Sequence, residues 1–217
     1  MKNNTEIKSW IGTDESGKGD YFGPLVVAAV HVDSKIAIAL SELGVKDCKK
    51  ITDKKARALA MEIKKITAHD VVMIGNLKYN ELYNKFNNLN TLLGWAHARA
   101  IENVLEKTDC KYVLTDKFAD SKVMLNSLMK KGKEIKLEQR TKAEDDIAVA
   151  AASILARAAF LYGMEKLAKE AGMPLSKGAS SQVLEQAKTY VEKFGANSLG
   201  KIAKLHFKST KTVLGQK

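Results

Sequence analysis

An α/β architecture built on a mixed sheet is what this sequence predicts, on three observations. Short runs rich in Val and Ile alternate with stretches whose apolar residues recur at helical spacing. Two of the runs are joined by a turn-rich connection, and everything after Leu137 carries helix patterns only. Trp10 to Asp14 and Leu25 to Val32 read as the opening strands, joined through Glu15 to Pro24, which holds three glycines and a proline and signals an antiparallel hairpin. A third strand fits Asp70 to Ile74, a fourth Tyr112 to Thr115 and a fifth Glu134 to Leu137. Helix patterns lie between them at Ser34 to Leu43, Asp53 to Thr67, Leu92 to Lys107 and Ala119 to Lys130. A long helix follows from about Asp146 to Ala171, then another at Ser181 to Phe194 and a basic terminal stretch. Residues 172–181, with two glycines and Pro174, read as a linker, so the chain is expected to be one catalytic domain over residues 1–217 with a helical part from about residue 172.

Composition narrows the class. With 217 residues, 45% hydrophobic and 28% charged, and only two prolines, the chain has the apolar content to bury a core and lacks the bias of a disordered polymer. The runs Leu25 to Val32 and Ile147 to Leu161 are interrupted by His31, Ser153 and Arg157 before about 18 uninterrupted apolar residues, which predicts no membrane span. The first ten residues are polar and carry no apolar signal region, and Cys48 and Cys110 stand singly. The expectation is therefore a cytoplasmic, monomeric protein with reduced thiols.

Thirty-six Lys and Arg against 25 Asp and Glu give a net charge of +11, which points to a polyanionic partner. From Ala171 to Lys217 there are eight lysines and two glutamates, so about half of the surplus sits in the last fifth of the chain. Lys201, Lys204, Lys208 and Lys211 recur at spacings of three or four, which would place them on one side of a helix if that stretch is helical, and Lys204 and Lys208 are candidates for phosphate contacts.

The densest cluster of chemistry-bearing residues is Gly12 to Pro24. Gly12-x4-Gly17-Lys18 approaches a nucleotide-binding phosphate loop but has Gly19 where a magnesium-binding Ser or Thr belongs. Asp14 and Glu15 would also repel phosphate from inside such a loop. Paired acids at a strand end suit a hard divalent cation instead. Neighbouring strand residues point to opposite faces, and Gly17 and Gly19 are expected to let the chain bulge so that Glu15 turns toward the side of Asp14.

Further acids are placed to join them. Tyr112-Val-Leu-Thr-Asp116 is an apolar strand ending in an aspartate, the usual way an α/β sheet presents a ligand at its carboxyl edge. Glu144, Asp145 and Asp146 precede a helix of small apolar residues; acids there favour the helix dipole, but three in a row exceed what capping needs. The small side chains of Ala150 to Ser153 predict close packing of that helix on the sheet, which carries its start toward the strand ends.

Several separated motifs in order now resemble a known family: Asp14-Glu-Ser-Gly-Lys-Gly-Asp-Tyr-Phe-Gly-Pro24, Lys46-Asp-Cys-Lys-Lys50, Asn88 to Arg99, Thr115-Asp-Lys-Phe-Ala119, and Thr141-Lys-Ala-Glu144 followed by Val149 to Arg157. The chain is identified as resembling the type 2 ribonuclease H superfamily from Trp10 onward. Gly17 to Pro24, the Asp116-Lys-Phe-Ala119 segment, Met173 to Ala179 and Leu205-His-Phe207 are similar to its ribonuclease HIII branch.

The resemblance implies a ribonuclease H-like fold and endonucleolytic cleavage of the RNA strand of RNA/DNA hybrids. Cleavage would be by two-metal chemistry with Mg2+ or Mn2+ and leave 5′-phosphate ends. Cleavage at single ribonucleotides embedded in DNA is the alternative. The implied metal ligands are Asp14, Glu15, Asp116 and Glu144, with Asp145 and Asp146 as alternatives for the fourth place. Gly17, Lys18 and Gly19 would lie against the RNA, with Lys18, Lys49 and Lys50 as phosphate contacts. Family members usually carry an amino-terminal substrate-binding domain, and 13 residues precede Asp14 here. Among the remaining residues, Tyr21, Phe22, Trp95 and His97 read as core, and His206 as structural.

Overall fold

The computed structural model describes residues 8–45 and 51–216. Five strands form one mixed sheet: β1 (Ser9–Ser16), β2 (Leu25–Asp33), β3 (His69–Ile74), β4 (Tyr112–Asp116) and β5 (Lys136–Arg140), in the spatial order β3-β2-β1-β4-β5. β1 and β4 are parallel in the register Ile11 to Val113, Gly12 to Leu114 and Thr13 to Thr115, and β4 and β5 are also parallel. Leu25 to Val30 are all fully buried, which accounts for the unbroken apolar run in β2: a strand covered on both faces has no polar side to show. The edge strand β5 is largely polar and half-exposed, as an edge facing water requires.

The helices are α1 (Ser34–Glu42), α2 (Asp53–Ile66), α3 (Asn76–Phe86), α4 (Leu89–Leu105), α5 (Ser121–Ser127), α6 (Ile147–Ala171), α7 (Ser181–Phe194) and α8 (Ser209–Val213). Their starts follow from local chemistry. The Asp33 carboxylate accepts from Ile36 N at 2.8 Å, Thr52 Oγ1 accepts from Lys55 N at 3.2 Å, and Asp120 accepts from Lys122 N at 2.8 Å. By length and composition α6 is apolar enough to cross a bilayer, yet two thirds of its apolar window is buried inside the structure, as a core helix demands.

Two departures from the sequence reading are instructive. Helix α3 has no predicted counterpart, because its asparagines mask the pattern: Asn76 donates to Gly23 O at 3.1 Å, and Asn80 donates to Gly200 O and Ala203 O. Only Tyr79 and Leu82 supply its buried apolar side chains. The basic end is not one helix. It is a 3-10 segment (Ala196–Lys201), an irregular stretch in which Ala203 bridges Phe22, and the short α8.

The chain divides into two compact units: residues up to Glu15 with Val27–Val72 and Asn90–Ala158, and Ser16–Val26 with Met73–Leu89 and everything from Ala159. Within the first, the start of α6 lies directly on β1. A Cβ on Gly12 would stand 2.2 Å from Val149 N and 2.3 Å from Ala148 C, so no larger residue fits without moving backbone. The Gly12→Ala variant is expected to lose at least about 3 kcal/mol of stability by denaturant titration, and truncating Ala148 to Gly should not restore it, because the clash is with main chain.

Candidate active site

The acids of the first unit gather around the packing of α6 on β1. Asp14 and Asp116 each stand one residue beyond the paired Thr13 and Thr115, on adjacent parallel strands about 4.8 Å apart, so their side chains share a face. Asp14 is hydrogen-bonded by Ser153 of α6 and by its own neighbour, Glu15 N, at 2.8 Å. Asp116 Oδ1 accepts from Ala143 N at 3.2 Å, which pins the end of β4 to the 3-10 turn Ala143–Asp145 that carries Glu144. Burial, and after it the charge of Glu15, push the Asp14 carboxyl up to about 6; the Ser153 and Glu15 hydrogen bonds and the nearby His97 oppose this only in part.

Glu15 is oriented by a histidine. His97, fully buried on α4, shares Nδ1 with Thr13 Oγ1 at 2.9 Å and Nε2 with Glu15 Oε2 at 3.3 Å, while its ring stacks on Phe118. Among the described residues, no three acid, histidine or cysteine side chains already stand in coordinating geometry. The donor set nonetheless fits a hard divalent cation. It is all carboxylate oxygen, and it includes an acid whose ionisation its neighbour's charge opposes, a penalty that a cation removes.

The run of three acids resolves into distinct tasks. Asp146 Oδ1 accepts from Ala148 N at 2.9 Å, from Val149 N at 3.2 Å and from Trp10 Nε1 at 3.0 Å, so it caps α6 and ties it to β1. Asp145 is exposed, and Glu144 is partly buried beside the residue that binds Asp116. Glu144 thus follows directly on the residue whose amide donates to Asp116. His97 was read from sequence as core packing; the structure adds that it orients Glu15. The available signal was a lone imidazole in a helical stretch whose other members, Leu92 to Ala100, are almost wholly small or apolar.

In the second unit Gly17 has φ +87°, and a Cβ there would lie 2.2 Å from Pro24 O, so glycine is required twice over. Asp20 N closes the turn on Gly17 O at 3.3 Å, leaving Lys18 half-buried and Gly19 exposed with open space around it. Tyr21 and Phe22 are fully buried, in keeping with their reading as core, and Tyr21 N donates to Gly178 O at 2.9 Å. Residues 172–180 are thereby bound to this segment rather than serving as a free linker. His206 stacks on Tyr83 at 4.2 Å between ring centres.

Among the predicted phosphate contacts, Lys208 is exposed, as are Lys201 and Lys211. Lys204 is not. It has no exposed surface, and its ammonium is occupied by main-chain carbonyls, which corrects its assignment as a phosphate contact. Lys49 and Lys50 lie outside the described residues.

The sheet order, with acids at the ends of its parallel strands, defines a nuclease fold of the ribonuclease H class. Comparison with known proteins makes this specific. Residues 11–210 match the family model described as Ribonuclease HII. Ribonuclease HIII of Protochlamydia amoebophila is 48% identical over 211 residues, covering 97% of this chain and 70% of its own length. Ribonuclease HIII of Chlamydia trachomatis serovar L2 is 44% identical over 213 residues, covering 97% and 71%. The crystal structure of Bst-RNase HIII in complex with Mn2+ superposes with a TM-score of 0.90 at 33% identity, covering 98% of this chain and 71% of that one. The chain belongs to the ribonuclease HII family, close to its ribonuclease HIII members, and has the ribonuclease H-like fold that its motifs imply.

The division of labour among the three acids is open to measurement. Asp146→Ala should cost about 1 to 2 kcal/mol of stability, since it removes a cap that serves two amides and an indole, whereas Asp145→Ala should stay within about 0.5 kcal/mol. Chemical denaturation of the two variants decides this, and equal losses would contradict the capping role of Asp146.

Proposed function

We propose that this chain is a metal-dependent endonuclease that hydrolyses the RNA strand of RNA/DNA hybrids and leaves 5′-phosphate ends. The observation that carries this is the pairing of the parallel strands that end in Asp14 and Asp116, supported by the hydrogen bond from Ala143 N, the residue before Glu144, to Asp116. Membership of the family, and a related structure described as a complex with Mn2+, support the metal dependence.

Asp14, Glu15, Asp116 and Glu144 would hold the divalent ions, Mg2+ or Mn2+. Such ions would supply the polarisation that activates a water and stabilises the charge on a leaving 3′ oxygen. The protein's own part is positional. Ser153 and Glu15 N fix the Asp14 carboxylate, Ala143 N fixes Asp116, and His97 fixes Glu15. At Gly19, exposed and with open space where a side chain would stand, the turn gives a backbone that RNA can approach closely, the contact needed to sense a 2′-hydroxyl. Lys18 and the exposed Lys201, Lys208 and Lys211 supply phosphate attraction. We assign the protein to the cytoplasm as a monomer, in accord with the free, buried Cys110 and the absence of a disulfide pattern in its sequence.

Two measurements test the reading. Asp14→Asn, Glu15→Gln, Asp116→Asn and Glu144→Gln should each lower cleavage of a long RNA/DNA hybrid by at least about a hundredfold with the fold retained, since each removes a charged ligand. Near-normal turnover in Asp14→Asn or Asp116→Asn at saturating Mg2+ would refute the site. Comparing a long hybrid with a duplex that holds one ribonucleotide, in Mg2+ and then in Mn2+, separates the proposed specificity from cleavage at embedded ribonucleotides.

The grip on the substrate is tested by salt. Replacing Lys201, Lys208 and Lys211 together by Ala should flatten the slope of log affinity against log salt by up to about two to three units, measured on hybrid in Ca2+ to suppress cleavage. The loss should be similar for every hybrid sequence, because phosphate contacts carry no base information. An unchanged slope would mean that these lysines face away from the substrate.

A further inference from the structure

The basic end holds one lysine that does not behave as a surface charge. Lys204 has no exposed area, and its Nζ donates to Asp20 O and Gly23 O at 2.7 Å each and to Phe22 O at 3.3 Å. Its backbone N donates to Tyr21 O at 2.9 Å. One residue therefore addresses four consecutive carbonyls, Asp20 through Gly23. Three acceptors around one nitrogen match the three N–H groups of a charged ammonium, which also stands 5.5 Å from the centre of the Tyr79 ring.

Burying a lysine is costly, and burial pushes this one down to about 7, with Asp20 opposing. An apolar side chain would fill the same space without that cost. The lysine is explained by what it holds. The segment from Asp20 to Gly23 is irregular, and apart from the bridge at Phe22 and the Asn76 contact on Gly23 O it has no ladder to take up its carbonyls. Asp20 is also the residue whose N closes the turn on Gly17 O, and its carboxylate accepts from Gly178 N at 2.6 Å. The carbonyl row that Lys204 grips thus begins where the glycine turn ends.

We propose that Lys204 is a positioning residue for the substrate: by holding the Asp20–Gly23 carbonyls it sets the backbone of the Gly17–Asp20 turn, and with it Lys18, in the conformation that receives the RNA strand. This rests on the reading above that the turn touches the substrate. It differs from a phosphate contact, which would need exposure, and from a purely structural lysine, whose loss would lower stability and leave substrate recognition intact.

The test is a double-mutant cycle between Lys204→Met and Lys18→Ala, with KM, kcat and hybrid affinity in Ca2+ read at a temperature where circular dichroism shows every variant folded. Lys204→Met is expected to raise KM at least about tenfold with kcat within about threefold of the parent, the size of effect that misplacing a substrate-positioning group produces. Mn2+ affinity should be unchanged, since the acids lie in the first unit. In the double variant the two losses should not multiply, because Lys204 acts through the turn that carries Lys18. If Lys204→Met does not fold, Lys204→Arg takes its place, keeping the charge on a planar fork that cannot serve three carbonyls from one atom, with a smaller KM rise expected. A folded Lys204 variant with unaltered KM, or losses that multiply with those of Lys18→Ala, overturns the proposal. If Lys18→Ala itself leaves KM and affinity unmoved, it is the assignment of the turn to the substrate that fails.

Discussion

The backbone contact of α6 on β1 at Gly12 is the constraint from which the candidate site follows. Because Val149 N approaches within 2.2 Å of where a Cβ would stand, the helix start is carried to within two residues of Asp14. Everything that fixes the acids then arrives with it: Asp146 capping the helix and bonding Trp10, Ser153 reaching Asp14, and the 3-10 turn that presents Ala143 N to Asp116. A helix of larger side chains would stand off the sheet and bring none of these into reach. The alanines of α6 are therefore part of the site's construction, although none of them does chemistry.

Strand alternation supplies the second ordering principle. Side chains at Thr13 and Glu15 share His97, while Asp14 is bonded by Ser153 of α6, so the neighbouring acids are held by different partners. Like charges close together in poor solvent resist ionisation, and the upward push on Asp14 shows that this resistance is present. A bound cation reverses the sign of that interaction. Hydrogen bonds from Ser153, from main-chain amides and from the His97 imidazole hold these acids in place.

Much of this was legible in the sequence, and the exceptions share a cause. Strands β1, β2 and β4 and helices α2, α6 and α7 were visible because their burial is periodic or continuous, and Asp14, Glu15 and Asp116 because they end apolar strands. The small-residue run in α6 correctly predicted close approach to the sheet. Helix α3 was missed because its asparagines make tertiary hydrogen bonds to Gly23, Gly200 and Ala203, which periodicity does not register. The condition for the basic lysines to share one side, a helical backbone, is not met between Lys201 and Ser209, and lysine spacing reports a face only where the backbone is already helical. Lys204 was misread, and the hold of the buried His97 on Glu15 went unseen, for the same reason: a polar group that is buried and satisfied by partners 82 to 184 positions away leaves no local trace.

Net charge, finally, has to be weighed by where each charge ends up. The last 47 residues carry a surplus that reads as a phosphate-binding surface, and exposed Lys201, Lys208 and Lys211 keep that reading. Lys204 sits among them in sequence yet spends its charge on main-chain carbonyls, and its field also helps to keep His206 neutral, with a pKa pushed down to about 4 by burial and then by the ammonium. Counterion release depends on the charges that meet phosphate in water, so a buried, carbonyl-bound ammonium adds nothing to the salt dependence of binding. What it adds is order in an irregular segment, since each carbonyl it satisfies removes the desolvation cost that would otherwise favour a solvated, mobile loop. The same residue type, three or four positions apart, thus does two separable kinds of work, and burial decides which.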